Sequence, residues 1–253
     1  MIKNNMINKK IVYRKVDGIM FKSHSNIKTP ADEVKIWRYM DFTKFVSLLD
    51  QRMLFLTRSD KFLDKFEGTY PTLIESRRSD ISNQDIAHKI VEVSKELKKR
   101  TFVNCWHKNE YESAAMWNLY LKSEEGIAIQ STVGKLKESL NQDEKDLYIG
   151  EVRYINYNVD YIEGDCHLKP FVHKRNSFEH EKEIRILYQL DKQVEFDDVM
   201  VGEQIDCNLD ALIENIYVAP ESPGWFKDVV TSICNKYDID VQVKQSKLKE
   251  VAY

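Results

Sequence analysis

Val34-Lys35-Ile36-Trp37-Arg38-Tyr39 is rich in β-forming side chains and reads as a short strand. Asp41 follows as a helix cap, and Phe42, Phe45, Leu48 and Leu49 recur at helical spacing. Met53-Leu54-Phe55-Leu56-Thr57 is then a short apolar run of the kind found in buried strands. This strand–helix–strand stretch decides the fold class. No glycine-rich loop joins the first strand to the helix, so neither a dinucleotide-binding nor a phosphate-loop architecture is supported.

Working outward, β character marks strands at 101–107, 126–132, 147–157, 183–190, 199–205, 214–219 and 240–245. Helical spacing marks 83–100, 112–122, 133–140, 170–178 and 223–237, the last opening on Pro223. These elements interleave without a regular βαβ cadence. The fold expected is α+β: a mixed, mostly antiparallel sheet with packed helices. No Ser/Gly/Pro linker divides the chain, so one domain is expected over 34–246. A basic, partly flexible arm (1–33) precedes it and a short tail (247–253) follows.

The composition agrees with a globular domain: 42% of the 253 residues are hydrophobic and 31% charged. Residues 1–30 carry seven basic side chains and one acid, while the whole chain is at -3. A basic arm suits nucleic acid or an acidic partner, but the acidity of the rest argues against a dedicated nucleic-acid binder. No run of about 18 apolar residues is present, so no membrane span is expected. The first five residues have no apolar segment behind them, and the four cysteines form no CxxC pair. The expectation is a cytoplasmic protein with reduced thiols and no structural zinc.

Four clusters carry chemistry. In Phe178-Glu179-His180-Glu181-Lys182-Glu183-Ile184-Arg185, a strand starting at Glu181 puts Glu181, Glu183 and Arg185 on one face. Two such carboxylates raise each other's pKa unless a cation intervenes, and Arg185 is the candidate cation. An exposed, salt-bridged strand start explains the same charges. Arg38 lies between Trp37 and Tyr39, and its planar fork suits a phosphate or carboxylate. Stacking on an open sheet face is the alternative. Phe62-Leu63-Asp64-Lys65-Phe66-Glu67-Gly68 is either a lid or a loop anchored by its aromatics. Trp106, Trp117 and Tyr120 make either a stacking wall or a core cluster. Cys105 and His107 share a face of one strand, too close to presume a dyad. Neither HExxH nor GxSxG spacing occurs.

In order and spacing these motifs resemble the bacterial and phage domain of unknown function family 2971. The pieces are Arg38-Tyr39, Phe62 to Glu67, Met116-Trp117-Asn118-Leu119-Tyr120 with Gly126, and Lys174 with Phe178 to Arg185. More distantly, the chain is similar to ADP-ribosyltransferases of the Arg–Ser–Glu type. These order a strand Arg, a mid-chain Ser or Thr, and a late Glu-x-Glu, matched here by Arg38, Thr57 or Ser59, and Glu181-x-Glu183. The resemblance implies an ADP-ribosyltransferase-like fold with NAD as substrate and no metal. It implies that Arg38 holds the pyrophosphate, Glu183 faces the cationic ribose, and Glu181 orients or deprotonates the acceptor. Tyr39, Trp117 or Tyr120 would stack on nicotinamide, with Thr57, Ser59 and Arg185 completing the binding set.

The leading expectation is therefore an NAD-consuming enzyme, an ADP-ribosyltransferase or NAD glycohydrolase, acting as a bacterial anti-phage defence or toxin effector. One alternative is a non-catalytic nucleotide- or protein-binding sensor of a defence system. The other is a metal-dependent nuclease, although Glu181-Lys182-Glu183 is one residue short of the usual spacing. Expected partners are a nucleotide ligand, a protein or nucleic-acid acceptor, and an operon-encoded defence or antitoxin protein.

Overall fold

Alternation along β1 (Lys35–Asp41) sends Ile36 and Met40 to one side and Trp37 and Tyr39 to the other, and all four are buried. A strand covered on both faces belongs in the middle of a sheet. The computed structural model describes residues 24–71, 84–121, 123–140, 145–163, 166–191 and 199–250, and there β1 is central. It is followed by α1 (Phe42–Gln51), β2 (Met53–Arg58), α2 (Gln84–Arg100) and β3 (Thr101–Lys108). Next come α3 (Ala114–Tyr120), β4 (Gly126–Thr132), α4 (Val133–Ser139), β5 (Leu147–Glu151) and β6 (Arg153–Ile155). The chain then runs through a 3-10 turn (Lys169–Val172), β7 (His173–Arg175), a second 3-10 turn (Asn176–Glu181) and β8 (Glu183–Gln189). Last are β9 (Gly202–Asp206), α5 (Leu209–Leu212), β10 (Asn215–Val218), α6 (Gly224–Lys236) and β11 (Val243–Gln245).

Among the described residues nine strands share one sheet, ordered β11–β10–β4–β1–β3–β2–β9, with β8 against β3 and β5 against β8. Every neighbouring pair in it is antiparallel except β10 with β11. The architecture is the expected α+β domain with a mostly antiparallel sheet. One face is an apolar layer in which Ile36, Leu56, Phe102, Ile129 and Ile186 pack with Phe45 and Leu49 of α1 and Phe226 and Val230 of α6. The other face is mixed: Trp37, Tyr39, Met116 and Trp117 pack at one end, and Val103, Phe171 and Leu187 at the other.

Two expectations fail locally. Residues 147–157 do not form one strand. Val152 N–H donates to Glu183 O at 2.9 Å, and beyond it β6 leaves the main sheet to pair with β7. Residues 170–178 are not a helix but a 3-10 turn, a short strand and the start of another 3-10 turn. The pairing of Tyr154 with Lys174 between β6 and β7 overrides the local propensity. Residues 1–23, most of the expected arm, lie outside the described residues. The rest of that segment packs on the domain: Ile27 is buried and Thr29 Oγ1 donates to Ile149 O at 2.7 Å. All four cysteines are free, and no described helix is long and apolar enough to cross a membrane.

Candidate active site

The site begins with a division in the sheet. One edge of β3 is taken by β8 from Thr101 to His107. The other edge is shared: β2 pairs at Phe102 and Val103, and β1 pairs at His107 and Lys108. A strand has only two edges, so β1 and β2 must part over Asn104, Cys105 and Trp106. The ten-residue α1 connects them and holds them apart. A cavity of about 590 Å³ occupies the gap, lined by parts of β1, α1, β2, β3, α3 and the start of β8. That volume suits a small organic ligand.

Side chains replace the missing ladder bonds. Arg38 Nη1 donates to Cys105 O at 3.1 Å, with the guanidinium 5.9 Å from the Trp106 ring centroid. Asn104 Nδ2 donates to Phe55 O at 2.9 Å across the gap. Arg38 is half-buried, and among the described residues no carboxylate pairs with it. Burial lowers its pKa from the usual guanidinium range, yet an arginine in a protein stays charged. The cavity wall therefore carries a positive charge that no described carboxylate neutralises by contact.

On the opposite wall sits a buried ionic cluster. Lys174 Nζ donates to Glu181 Oε2 at 2.8 Å and to Glu183 Oε1 at 2.7 Å. Arg185 Nε donates to Glu183 Oε2 at 2.6 Å. The rest of its fork reaches Glu67, with Nη1 to Oε2 at 2.8 Å and Nη2 to Oε1 at 3.0 Å. Glu183 N–H donates to Tyr154 Oη at 2.8 Å, which fixes the backbone from which the carboxylate projects.

The two carboxyl groups titrate apart. Burial, the hydrogen bond to Glu183 and that residue's charge push Glu181 up to about 8. Burial would raise Glu183 too, but the Arg185 charge, the bond from Glu181 and Lys174 hold it well below the carboxylate range. Two cations, Lys174 and Arg185, thus meet three buried carboxyl groups, Glu67, Glu181 and Glu183. Backbone geometry makes this possible. Lys182, between the two acids, has φ 40 and ψ 55, and it turns the chain from the 3-10 turn into β8. Gly68 has φ +64, and a Cβ there would meet Phe171 Cε1 at 2.3 Å. That close approach seats Glu67 under Arg185.

Among the described residues, three buried polar atoms of residues at the cavity have no partner: Asn104 Oδ1, Trp106 Nε1 and His107 Nε2. All three residues line the cavity. Unpaired buried groups cost about 1–3 kcal/mol each, so this stretch of β3 carries polar capacity that no described group satisfies. His107 Nδ1 lies 2.6 Å from Glu181 O and must donate to that carbonyl, which leaves Nε2 with a lone pair. Burial lowers the imidazole pKa, so the ring is neutral at pH 7.

Of the residues singled out from sequence, Arg38, Tyr39, Thr57, Tyr120, Glu181 and Glu183 line this one cavity. Ser59, Trp117 and Arg185 do not. Ser59 is buried and donates to Lys98 O at 2.7 Å. Trp117 stands behind Tyr39, edge-on at 4.9 Å, with Nε1 donating to Glu112. The expected wall of Trp106, Trp117 and Tyr120 is therefore broken: Trp106 and Tyr120 line the cavity and Trp117 is packing. Arg185 lies beneath Glu183 and holds it. The loop 62–68 is anchored by Glu67 to Arg185 and by Asp64 to Arg175, and is no free lid. Among the described residues no three His, Cys, Asp or Glu side chains are placed to share a metal ion. Glu67, Glu181 and Glu183 converge on Lys174 and Arg185 instead.

Sequence reading missed Asn104, the unpartnered ring nitrogens of Trp106 and His107, and Lys174 and Glu67 as partners of the carboxylates. Glu67-Gly68 held a usable signal, an acid before a glycine in an aromatic loop. Lys174 stood out only as a piece of the family resemblance, because its place beside the carboxylates depends on the pairing of β6 with β7.

No family model matches the chain, so the expected resemblance to family 2971 finds no support there. No curated protein matches in sequence. Among solved structures, the chain is similar to Thermus sp. 2.9 DarT in complex with NAD+, at 10% identity, TM-score 0.41, over 88% of this chain and 100% of that one. It is likewise similar to Thermus sp. 2.9 DarT in complex with ADP-ribosylated ssDNA, at 9% identity, TM-score 0.41, over 88% and 98%.

Proposed function

We propose that this protein consumes NAD, breaking the bond between nicotinamide and ribose and passing ADP-ribose to an acceptor hydroxyl or to water. One observation carries the reading. A single cavity holds an arginine with no carboxylate partner on one wall and the Glu181–Glu183 pair on the other. A ligand that satisfies both walls has an anionic part and a part that becomes positive during reaction, and NAD has both. Arg38 would take a pyrophosphate oxygen through its planar fork. Glu183, kept ionised by Arg185 and Lys174, would face the positive charge that builds on the ribose as the nicotinamide leaves. Tyr39, Thr57 and Tyr120 would line the ligand. An enzyme that drains NAD or marks nucleic acid harms its own cell, which is the basis for reading it as a toxin or anti-phage effector. Such an effector would sit in the cytoplasm with a neutralising partner.

The test is purified protein incubated with NAD, with nicotinamide and ADP-ribosylated products followed by mass spectrometry. Nicotinamide release by the wild type and its loss in a folded Glu183→Gln variant are expected. Intact NAD under all conditions would overturn the proposal. One observation favours a binding module instead: both Glu183 oxygens already accept bonds, from Lys174 and Arg185. In that case NAD is bound and recovered unchanged.

A further inference from the structure

We propose that His107 Nε2 is the base that takes the proton from the incoming acceptor; this rests on the reading of the cavity as an NAD site. His107 stands directly opposite Glu183 in the β3–β8 ladder, so the two side chains are neighbours on one face. Its Nδ1–H is spent on Glu181 O at 2.6 Å, which fixes both ring and tautomer. Its Nε2 is buried, unpartnered and on a residue that lines the cavity. Nε2 has almost no exposed surface, so the ring or its neighbours shift slightly for an acceptor on the Glu183 side of the ribose to reach it.

The other titratable side chains nearest the carboxylate wall are unsuited to the task, Tyr120 among them because burial raises its phenol well above the ordinary value. Glu181 keeps its proton at neutral pH, being pushed up to about 8. Both Glu183 oxygens are bonded to cations. Burial raises the Cys105 thiol well above its ordinary value, and Glu183 adds to this. Tyr39 Oη already accepts from Ser113 N–H at 2.8 Å. The charged and titratable groups around His107 are His180, Glu181, Lys182 and Glu183 from the second 3-10 turn and β8, Tyr39 from β1, and Tyr120 from α3. Burial first, then the charges of Lys182 and His180, keep the imidazole neutral.

In the step itself, the acceptor oxygen bonds to the ribose carbon that held nicotinamide. The carbon–nitrogen bond breaks and its electron pair returns to the nicotinamide ring nitrogen, which becomes neutral. The acceptor proton passes to His107 Nε2 and is later lost to solvent.

The experiment compares wild type with His107→Asn, whose amide N–H can still reach Glu181 O but which has no basic nitrogen. Nicotinamide release and product are followed from pH 5 to pH 9. A general base contributes roughly 10²–10⁴-fold, so kcat should fall by that factor with KM for NAD within about twofold. The wild-type profile should show an acid limb below the ordinary imidazole value of 6.5, and the variant should lack it. A folded variant that keeps kcat within about threefold and retains the limb overturns the assignment while leaving NAD consumption intact. Absence of nicotinamide release from the wild type overturns the parent reading and this assignment with it. If the variant does not fold, nitrogen-15 NMR of the wild-type imidazole decides. An unprotonated Nε2 at pH 7 is expected, and a proton on it overturns the proposal.

Discussion

Arg185 Nε donates to Glu183 Oε2 at 2.6 Å, between side chains that are 1% and 3% exposed. The same guanidinium grips Glu67 bidentately, so one cation satisfies two buried carboxylates from different parts of the chain. Removing it leaves both buried carboxylates to share Lys174, at 2.7 Å from Glu183 and 3.6 Å from Glu67. Arg185→Met should therefore cost about 3–5 kcal/mol, read from urea unfolding. Arg52→Met, whose pair with Asp210 stands in water, should cost less than about 1 kcal/mol. Equal shifts in the two variants would refute the view that burial sets the value of these pairs.

Arg38 should separate binding from stability. It gives one bond to Cys105 O and pairs with no described carboxylate, so Arg38→Gln should lower stability by no more than about 1.5 kcal/mol. A charge-assisted bond to a phosphate is worth about 1.5–3 kcal/mol, so NAD should bind roughly 10–100-fold more weakly. Calorimetric titration of the two proteins with NAD makes the comparison. Unchanged affinity would remove Arg38 from the binding site.

The elements legible in sequence were those with strong local patterns. The strand at Gly126–Thr132 matches its expected bounds, and the two strands flanking α1 match to within two residues. Arg38, Glu181 and Glu183 stood out because charge within or beside a β-forming run is locally conspicuous. The region around Lys174 was not legible: Pro170-Phe171-Val172 reads as a helix start, yet pairing with β6 and the pull of three carboxylates make β7 a strand. The unpartnered atoms of Asn104, Trp106 and His107 were hidden for a different reason. Nothing in β3 itself reports that β1 and β2 share one of its edges, and that division creates the cavity.

Stability should fall as pH rises through the neutral range, because of Glu181. The folded state holds the Glu181 proton up to about 8, whereas the unfolded chain releases it near the ordinary 4.5. Between those values the native state binds more protons, so stability drops by up to about 1.4 kcal/mol per pH unit. Glu183 acts in the opposite sense: its contribution is present above 4.5 and lost as pH falls through its depressed native value. Urea midpoints of the wild type and Glu181→Gln, measured from pH 3 to pH 9, should diverge above 4.5 and run parallel below it. Because the two acids are linked, the midpoint belongs to the pair. Parallel curves above 4.5 would mean that Glu181 is ionised in the native protein.

Lys182 carries backbone strain between the two acids. Its φ of 40 and ψ of 55 lie in the left-handed region, which costs an L-residue about 1–2 kcal/mol. Two bonds hold it there: its N–H donates to Glu179 O, and its carbonyl accepts from Lys108 N–H at 2.8 Å. Glycine relieves the strain and gives back about 0.5–1 kcal/mol as chain entropy, so Lys182→Gly should be neutral to slightly stabilising. Lys182→Val puts a β-branched side chain into the same conformation and should lower the unfolding midpoint. The side chain of Lys182 is exposed, so contact loss does not explain a difference between the two variants. If NAD turnover also falls in Lys182→Val but survives in Lys182→Gly, the turn between Glu181 and Glu183 is what aims both carboxyl groups into the cavity.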